Sequence, residues 1–323
     1  MHKNTKLWLI IAASLILIGC CIFGGVITAL QWDFTKLSTD KYETNNHSIS
    51  DNFKNIAIST DTADIAFVPS ESAKSLVVCH EQDNTNHIVS VKDETLIIEL
   101  IDTREWYERI GISVETPKIT VYLPNAEYKK LFINESTGDI EIPTNFCFES
   151  MEISTSTGDI ENFASAAEFM HLTAGTGDIF VENISANSLD LSVSTGKIIA
   201  NSITCRENIH IAVSTGDAKI TNAQCNVLHS SGSTGDLSLL RVIAKEQISI
   251  VRNTGDVYFK GCDAAEISIK TSTGEVNGSF LSDKVFLTES NTGRISVPQT
   301  TTGGKCEIIT DTGDIKITIE KKS

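Results

Sequence analysis

Four side chains able to hold a metal recur at nearly even intervals: His171, Asp190, His210 and His229, separated by 19, 20 and 19 residues. If each interval is one turn of a stacked strand, they stand in a column with about 4.8 Å between neighbours. Two imidazoles and a carboxylate at that distance are the donor set of a borderline metal such as zinc. A plainer reading competes with this one. The equivalent position elsewhere holds Phe132, Glu152, Ser249 and Ser268, and a solvated polar column needs no common chemistry.

A second column is acidic: Asp139, Asp159, Asp178, Asp217, Asp236, Asp256 and Asp314 share one position, which Lys197, Glu275 and Arg294 fill in the remaining units. Stacked carboxylates repel, so something must compensate. Aspartates in turns accept hydrogen bonds from the local backbone or from Ser and Thr hydroxyls. A calcium ladder is the functional alternative. It would ordinarily come with a glycine-rich loop every nine residues or so, which this sequence lacks. Thr-x-Thr tracts such as Thr155 to Thr157 invite an ice-binding reading, but hydroxyl ladders supporting the turns account for them equally well. Of the eight cysteines, Cys79, Cys147, Cys205, Cys225, Cys262 and Cys306 lie beyond the first thirty residues. Small buried thiols are the simple expectation, with a Cys205 to Cys225 bridge between adjacent turns as the alternative. There is no nucleophile motif, Walker loop or dinucleotide fingerprint. The expectation is therefore a protein that is not an enzyme and carries no cofactor.

What positions these columns is an internal repeat. Thr-Gly recurs with Gly138, Gly158, Gly177, Gly196, Gly216, Gly235, Gly255, Gly274, Gly293 and Gly313, every 19 or 20 residues. Seven residues before each glycine and two after it the side chain is apolar or small, from Leu131 and Ile140 to Cys306 and Ile315. Inward positions two apart on each side of the glycine mean two strands, and the glycine itself marks a bend at positive φ. A period this short suits a stack of strands, in which each turn buries its inner face against the next. The expectation is an all-β fold: a parallel β-solenoid of ten coils over residues 131–323. Ser59 to Ile65 reads as a degenerate copy with Ala63 in the glycine slot, so residues 49–130, which also alternate, are expected to form an irregular β cap. Trp106 and Tyr107 sit in a charged loop there and are read as cover for the open end or as a partner contact. Lys321 and Lys322 are read as protection for the other edge.

Leu7 to Leu30 is a run of 24 residues without a charge, preceded by Lys3 and Lys6. It is long enough to cross a bilayer, and the basic flank places the N-terminus in the cytoplasm. Residues 1–30 are read as a cytoplasmic tip and single transmembrane signal anchor, with cleavage or lipidation at Cys20 as alternatives. Residues 31–48 are read as a polar tether, and everything beyond the membrane as extracytoplasmic. The 323 residues carry 26 basic and 42 acidic side chains, a net charge of -16. That balance argues against nucleic acid as a partner.

The apolar span, the run Ile119-Thr120-Val121-Tyr122-Leu123-Pro124 leading into Leu131 to Ile140, and the recurring Ser-Thr-Gly-Asp-Ile resemble a bacterial family. Its members are membrane-anchored β-strand-repeat proteins labelled as adhesins and related to LiaG-like envelope-stress proteins. The resemblance covers most of the chain. It implies a single-pass, outward-facing β-solenoid in the cell envelope, of poorly defined function, and brings no catalytic residues. The expected role is non-enzymatic binding or support, with an unknown envelope protein or polysaccharide as partner. The alternative is a polysaccharide-binding or polysaccharide-active β-helix, which would show a cleft lined by aromatics and paired carboxylates.

Overall fold

A computed structural model of the chain describes residues 3–33, 41–83, 85–102 and 115–320. Among the described residues there is one helix, Lys3–Ala29, and most of the rest is strand. Its Thr5–Ala29 segment has a mean hydropathy of 2.7 over its most apolar window. At about 1.5 Å per residue this segment exceeds the hydrocarbon thickness of a bilayer. Trp8, Leu15, Ile16 and Phe23 point outward on different sides and are all more than 60% exposed. A helix this apolar all round, with little protein against it, is suited to lipid.

The repeats stack as parallel rungs in one continuous sheet. Met170 pairs with Leu189, Leu189 with Ile209, and Leu228 with Ile248, so like positions meet like across successive rungs. This inward column is at most 1% exposed from Leu131 to Ile267. The column two residues after the glycine is buried to the same degree from Ile140 to Val276. No single rung could bury these side chains; the stack does.

Each rung bends at its glycine. Gly216 has φ 130°. A Cβ built on it would stand 1.9 Å from the carbonyl oxygen of Gly196 in the rung below. The bend therefore requires glycine twice, for its dihedral and for the close approach of backbone to backbone. A second bend lies six residues further on, where Asn183, Ser202, Asn222 and Arg241 have φ of 54–56° and Gly261 has 61°. Units of 19 and 20 residues are reconciled near the end of the rung. Cys225 pairs with Ala244 but Val227 with Gln247, a bulge that absorbs the extra residue.

The stack begins before the first glycine. Strands β1 (Tyr42–Ile49), β2 (Asn55–Thr62), β3 (Asp64–Ser70), β4 (Ser75–Gln82), β5 (Thr85–Lys92), β6 (Thr95–Asp102), β7 (Lys118–Pro124), β8 (Glu127–Thr137) and β9 (Ile140–Ile142) come first in the chain. β2 and β3 make a rung in register with β8 and β9, pairing Ile58 with Ile133 and Ile65 with Ile140. Ala63 occupies the glycine position, its N–H on the Thr137 carbonyl at 3.1 Å. β6 and β7 lie on the other side of that rung, parallel to it. Antiparallel strands then cover this end, with β5 on β6, β4 on β7 and β1 on β4. β1 overlaps the end of the segment 31–48 expected as a tether, where a paired strand begins at Tyr42. The Trp106 and Tyr107 loop and Lys321 and Lys322 lie outside the described residues.

At the other end the stacking departs from chain order. Ile267 pairs with Cys306, and Cys306 pairs in turn with Phe286. The rung of Gly313 is therefore inserted between those of Gly274 and Gly293. The Gly293 rung is terminal, leaving Leu287 51% and Ile295 44% exposed. The same permutation holds at the first end, where β2 and β3 lie second, behind β6 and β7.

Candidate functional site

The acidic column runs along the glycine bends, and its carboxylates are engaged with the backbone. Oδ1 of Asp139 accepts the N–H of Asp159 at 2.8 Å, Asp159 that of Asp178 at 2.7 Å, and Asp178 that of Lys197 at 2.7 Å. Asp217, Asp236 and Asp256 continue the pattern. Each carboxylate thus caps the turn of the neighbouring rung, where a cap on its own turn was expected. The amide dipoles and the interposed Lys197 offset the repulsion between like charges. At the terminal rung the backbone N–H of Arg294 donates to Asp314 Oδ1 at 2.8 Å, and its Nε and Nη2 donate to Oδ2 at 3.1 and 2.8 Å; these bonds, the backbone one first, hold that carboxyl below its usual range. Among the described residues, this column brings no three metal-ligating atoms within 4.8 Å of one another.

His171, Asp190, His210 and His229 do stand in one column, through the register His171 to Asp190, Asp190 to His210 and His210 to His229. His171 Nδ1 lies 3.3 Å from Asp190 Oδ2, both side chains being 43% exposed. His210 and His229 stack with centroids 5.1 Å apart and planes 8° from parallel. Partial burial, and then the neighbouring His210, lower the pKa of His229. The rings face one another in a row on a flat strand face, whereas a tetrahedral centre needs donors that converge.

All eight cysteines are free. Cys205 and Cys225 are buried in adjacent rungs, and the Cys205 thiol donates to the carbonyls of Asn187 and Asn208 at 3.0 and 3.1 Å. Burial, with Cys205 nearby, pushes the Cys225 thiol up to about 12. Cys147 is exposed, unlike the other thiols of the sheet.

Sequence reasoning did not single out a groove near the C-terminal end of the rod, about 650 Å³ in volume and lined by Tyr258, Lys260, Asn277, Arg294 and Lys316 among others. Tyr258, Asn277 and Lys316 are cross-rung neighbours on the outward face. Tyr258 is 44% exposed. Three basic side chains gather here on a chain of net charge -16. The signal was present as Tyr258, Asn277 and Lys316, each three residues after its glycine. The permuted end rungs hid that Lys316 follows Asn277 directly.

The sequence model described as Toastrack DUF4097 matches residues 53–226 and again 206–323. No curated protein matches the chain. Among solved structures, a "putative lipid binding protein" from Parabacteroides distasonis is similar at 20% identity and a TM-score of 0.51, over 75% of this chain and 98% of that one. A "putative adhesin" from Parabacteroides merdae is 12% identical with a TM-score of 0.48, over 87% and 98%. Another, from Bacteroides fragilis, is 16% identical with a TM-score of 0.41, over 86% and 97%. At these identities the first of them shows a shared fold.

Proposed function

This chain belongs to the Toastrack DUF4097 family, and on that premise we propose that it is a non-enzymatic, adhesin-like binding protein of the bacterial cell envelope. The helix Lys3–Ala29 holds it in the membrane, and the β-solenoid stands outside the cytoplasm. The observation that carries the binding role is the groove beside Tyr258, in which Lys260, Arg294 and Lys316 outnumber Glu275 and Asp314 on a rod that is acidic as a whole. Aromatic and arginine side chains are the usual anchors of interfaces, and local positive charge selects an acidic face on the partner.

Two measurements test this. Protease added to intact protoplasts should remove a tag at Ser323 and spare the N-terminus; a protected C-terminus overturns the outward orientation. A photo-crosslinking residue at position 258 should capture an envelope protein that the same residue at position 152, on another stretch of the rod, does not. Equal capture from both positions removes the groove from the proposal.

The groove also gives the polysaccharide reading its one supporting observation, because Tyr258 stands beside the carboxylates of Glu275 and Asp314. Those carboxylates are tied up, Glu275 with Asn277 at 3.0 Å and Asp314 with Arg294. This arrangement suits holding a sugar chain better than cleaving one. Retention on an acidic wall polymer, lost in Tyr258→Ala, would favour this reading over a protein partner.

A further inference from the structure

Three metal-ligating side chains that belong to none of these columns converge inside the N-terminal cap. β4 turns Cys79 and Glu81 to the same inward face, two residues apart, and β5 returns after the turn with His87 against them. One ligand atom from each of Cys79, Glu81 and His87 lies within 4.8 Å of the other two. All three are buried, at 0%, 1% and 5% exposure.

The atoms around this triad are arranged as an outer shell. His87 has Nδ1 at 2.7 Å from Glu81 Oε2 and Nε2 at 2.9 Å from Thr60 Oγ1 on β2. The other carboxylate oxygen, Glu81 Oε1, accepts from Asn45 Nδ2 on β1 at 2.8 Å. The His87 backbone N–H also donates to Glu81 Oε2 at 2.8 Å. Metal-ligating imidazoles and carboxylates typically have their far atoms held in this way, which fixes the ring and orients the carboxylate.

We propose that Cys79, Glu81 and His87 bind a zinc ion that fastens the antiparallel cap. Thiolate, carboxylate and neutral imidazole carry two negative charges between them, which match a divalent cation. Such a neutral set is what a site this buried requires. Sulfur and imidazole donors select zinc over calcium or magnesium, which take oxygen. Binding releases the Cys79 thiol proton to solvent, moves the His87 ring proton from Nδ1 to Nε2, and replaces the Nδ1 contact with Glu81 by two bonds to the metal, the fourth tetrahedral position going to an exogenous ligand such as water. Thr60 then accepts from Nε2–H, and Asn45 goes on donating to Oε1. The ion ties β4 to β5 where they close the end of the stack, with its outer shell on β1 and β2, so it joins four strands at once.

The test uses the full chain purified in detergent and equilibrated with micromolar zinc, followed by elemental analysis. A single zinc per chain is expected, and cobalt in its place should give a sulfur-to-cobalt charge-transfer band in the near ultraviolet. Cys79→Ala and His87→Ala should each abolish both signals, while Cys306→Ala, at a buried thiol in a distant rung, should leave them unchanged. Asn45→Ala keeps all three ligands and provides a milder test if the ligand variants unfold. It should weaken zinc affinity by roughly 10- to 100-fold. Wild-type protein that takes up no zinc and shows no thiolate band overturns the site, and so does zinc content unaffected by Cys79→Ala in folded protein.

Discussion

The side chain of Asp159 accepts a hydrogen bond from the backbone N–H of Asp178, one rung away, at 2.7 Å. A residue at this position thus serves a neighbour 19 residues distant in the chain, and its own N–H is served in turn by Asp139. The column is a relay of caps between rungs, so losing one carboxylate is felt in the next turn.

Asp159→Ala should destabilise the rod by about 1 kcal/mol, the net worth of one such hydrogen bond. Asp159→Asn keeps an acceptor and removes a charge from a repelling column, so it should cost less, and least of all at low salt where repulsion is unscreened. Urea denaturation of both variants at two ionic strengths checks this. Equal losses would mean that the charge and not the bond matters.

Gly216→Ala should cost several kcal/mol, because the new Cβ meets the Gly196 carbonyl at 1.9 Å in a backbone conformation that L-residues rarely adopt. A melting temperature equal to that of the parent would show that the rungs can spread at this bend without penalty.

Ser202 takes the left-handed conformation, φ 56°, at the second bend. A non-glycine residue pays about 1 kcal/mol there, so Ser202→Gly should be neutral to stabilising by up to about 1 kcal/mol, after the extra chain entropy of glycine is counted. The same change at Ser192, which lies mid-strand on the half-buried outer face, should destabilise. In thermal melts Ser202→Gly should therefore hold level or rise while Ser192→Gly falls, and a parallel fall in both rejects the strain argument.

Glu135 is buried at the first repeat, its Oε1 accepting the Ala63 N–H at 3.3 Å. Burial, reinforced by Asp64 and Asp139, pushes its pKa from 4.5 to about 8. A folded-state pKa above the unfolded one means that the native state holds the proton more tightly. The contribution is fully present below pH 4.5 and is lost as the pH rises from there to about 8. Over that window stability should fall by roughly 1 kcal/mol per pH unit. Glu135→Gln should flatten the slope and stabilise the protein most at pH 8. An unchanged slope in the variant assigns the dependence to other groups.

The periodic glycine and the flanking apolar pairs made the rungs legible, because one backbone requirement recurs with one residue type. The second bend recurs as well, yet Asn183, Ser202, Asn222, Arg241 and Gly261 share no side-chain chemistry, so nothing in the composition marked it. Which carboxylate caps which N–H was hidden for a different reason. Asp159 has Ser and Thr neighbours in its own turn, and only the stacking register places the amide of Asp178 within reach. The order of the last rungs was beyond reading, since the units around Gly293 and Gly313 present nearly the same inward pattern and either could follow Gly274. In the cap, Cys79 and Glu81 are close in sequence, but Thr60 and Asn45 reach the cluster only through the pairing of β1, β2, β4 and β5.

The permuted ends also bear on wear. In a stack that followed chain order, an enzyme trimming from the C-terminal side would shorten the rod one rung at a time, each loss leaving a smaller copy of the same object. Here the strands Gly304–Thr312 and Ile315–Ile319 are wedged between two others. Their removal would open a slot two rung spacings wide, about 10 Å, with the Gly293 rung stranded beyond it. These two strands are thereby hydrogen-bonded along both edges, and they leave the stack only when the rungs on either side of them open as well.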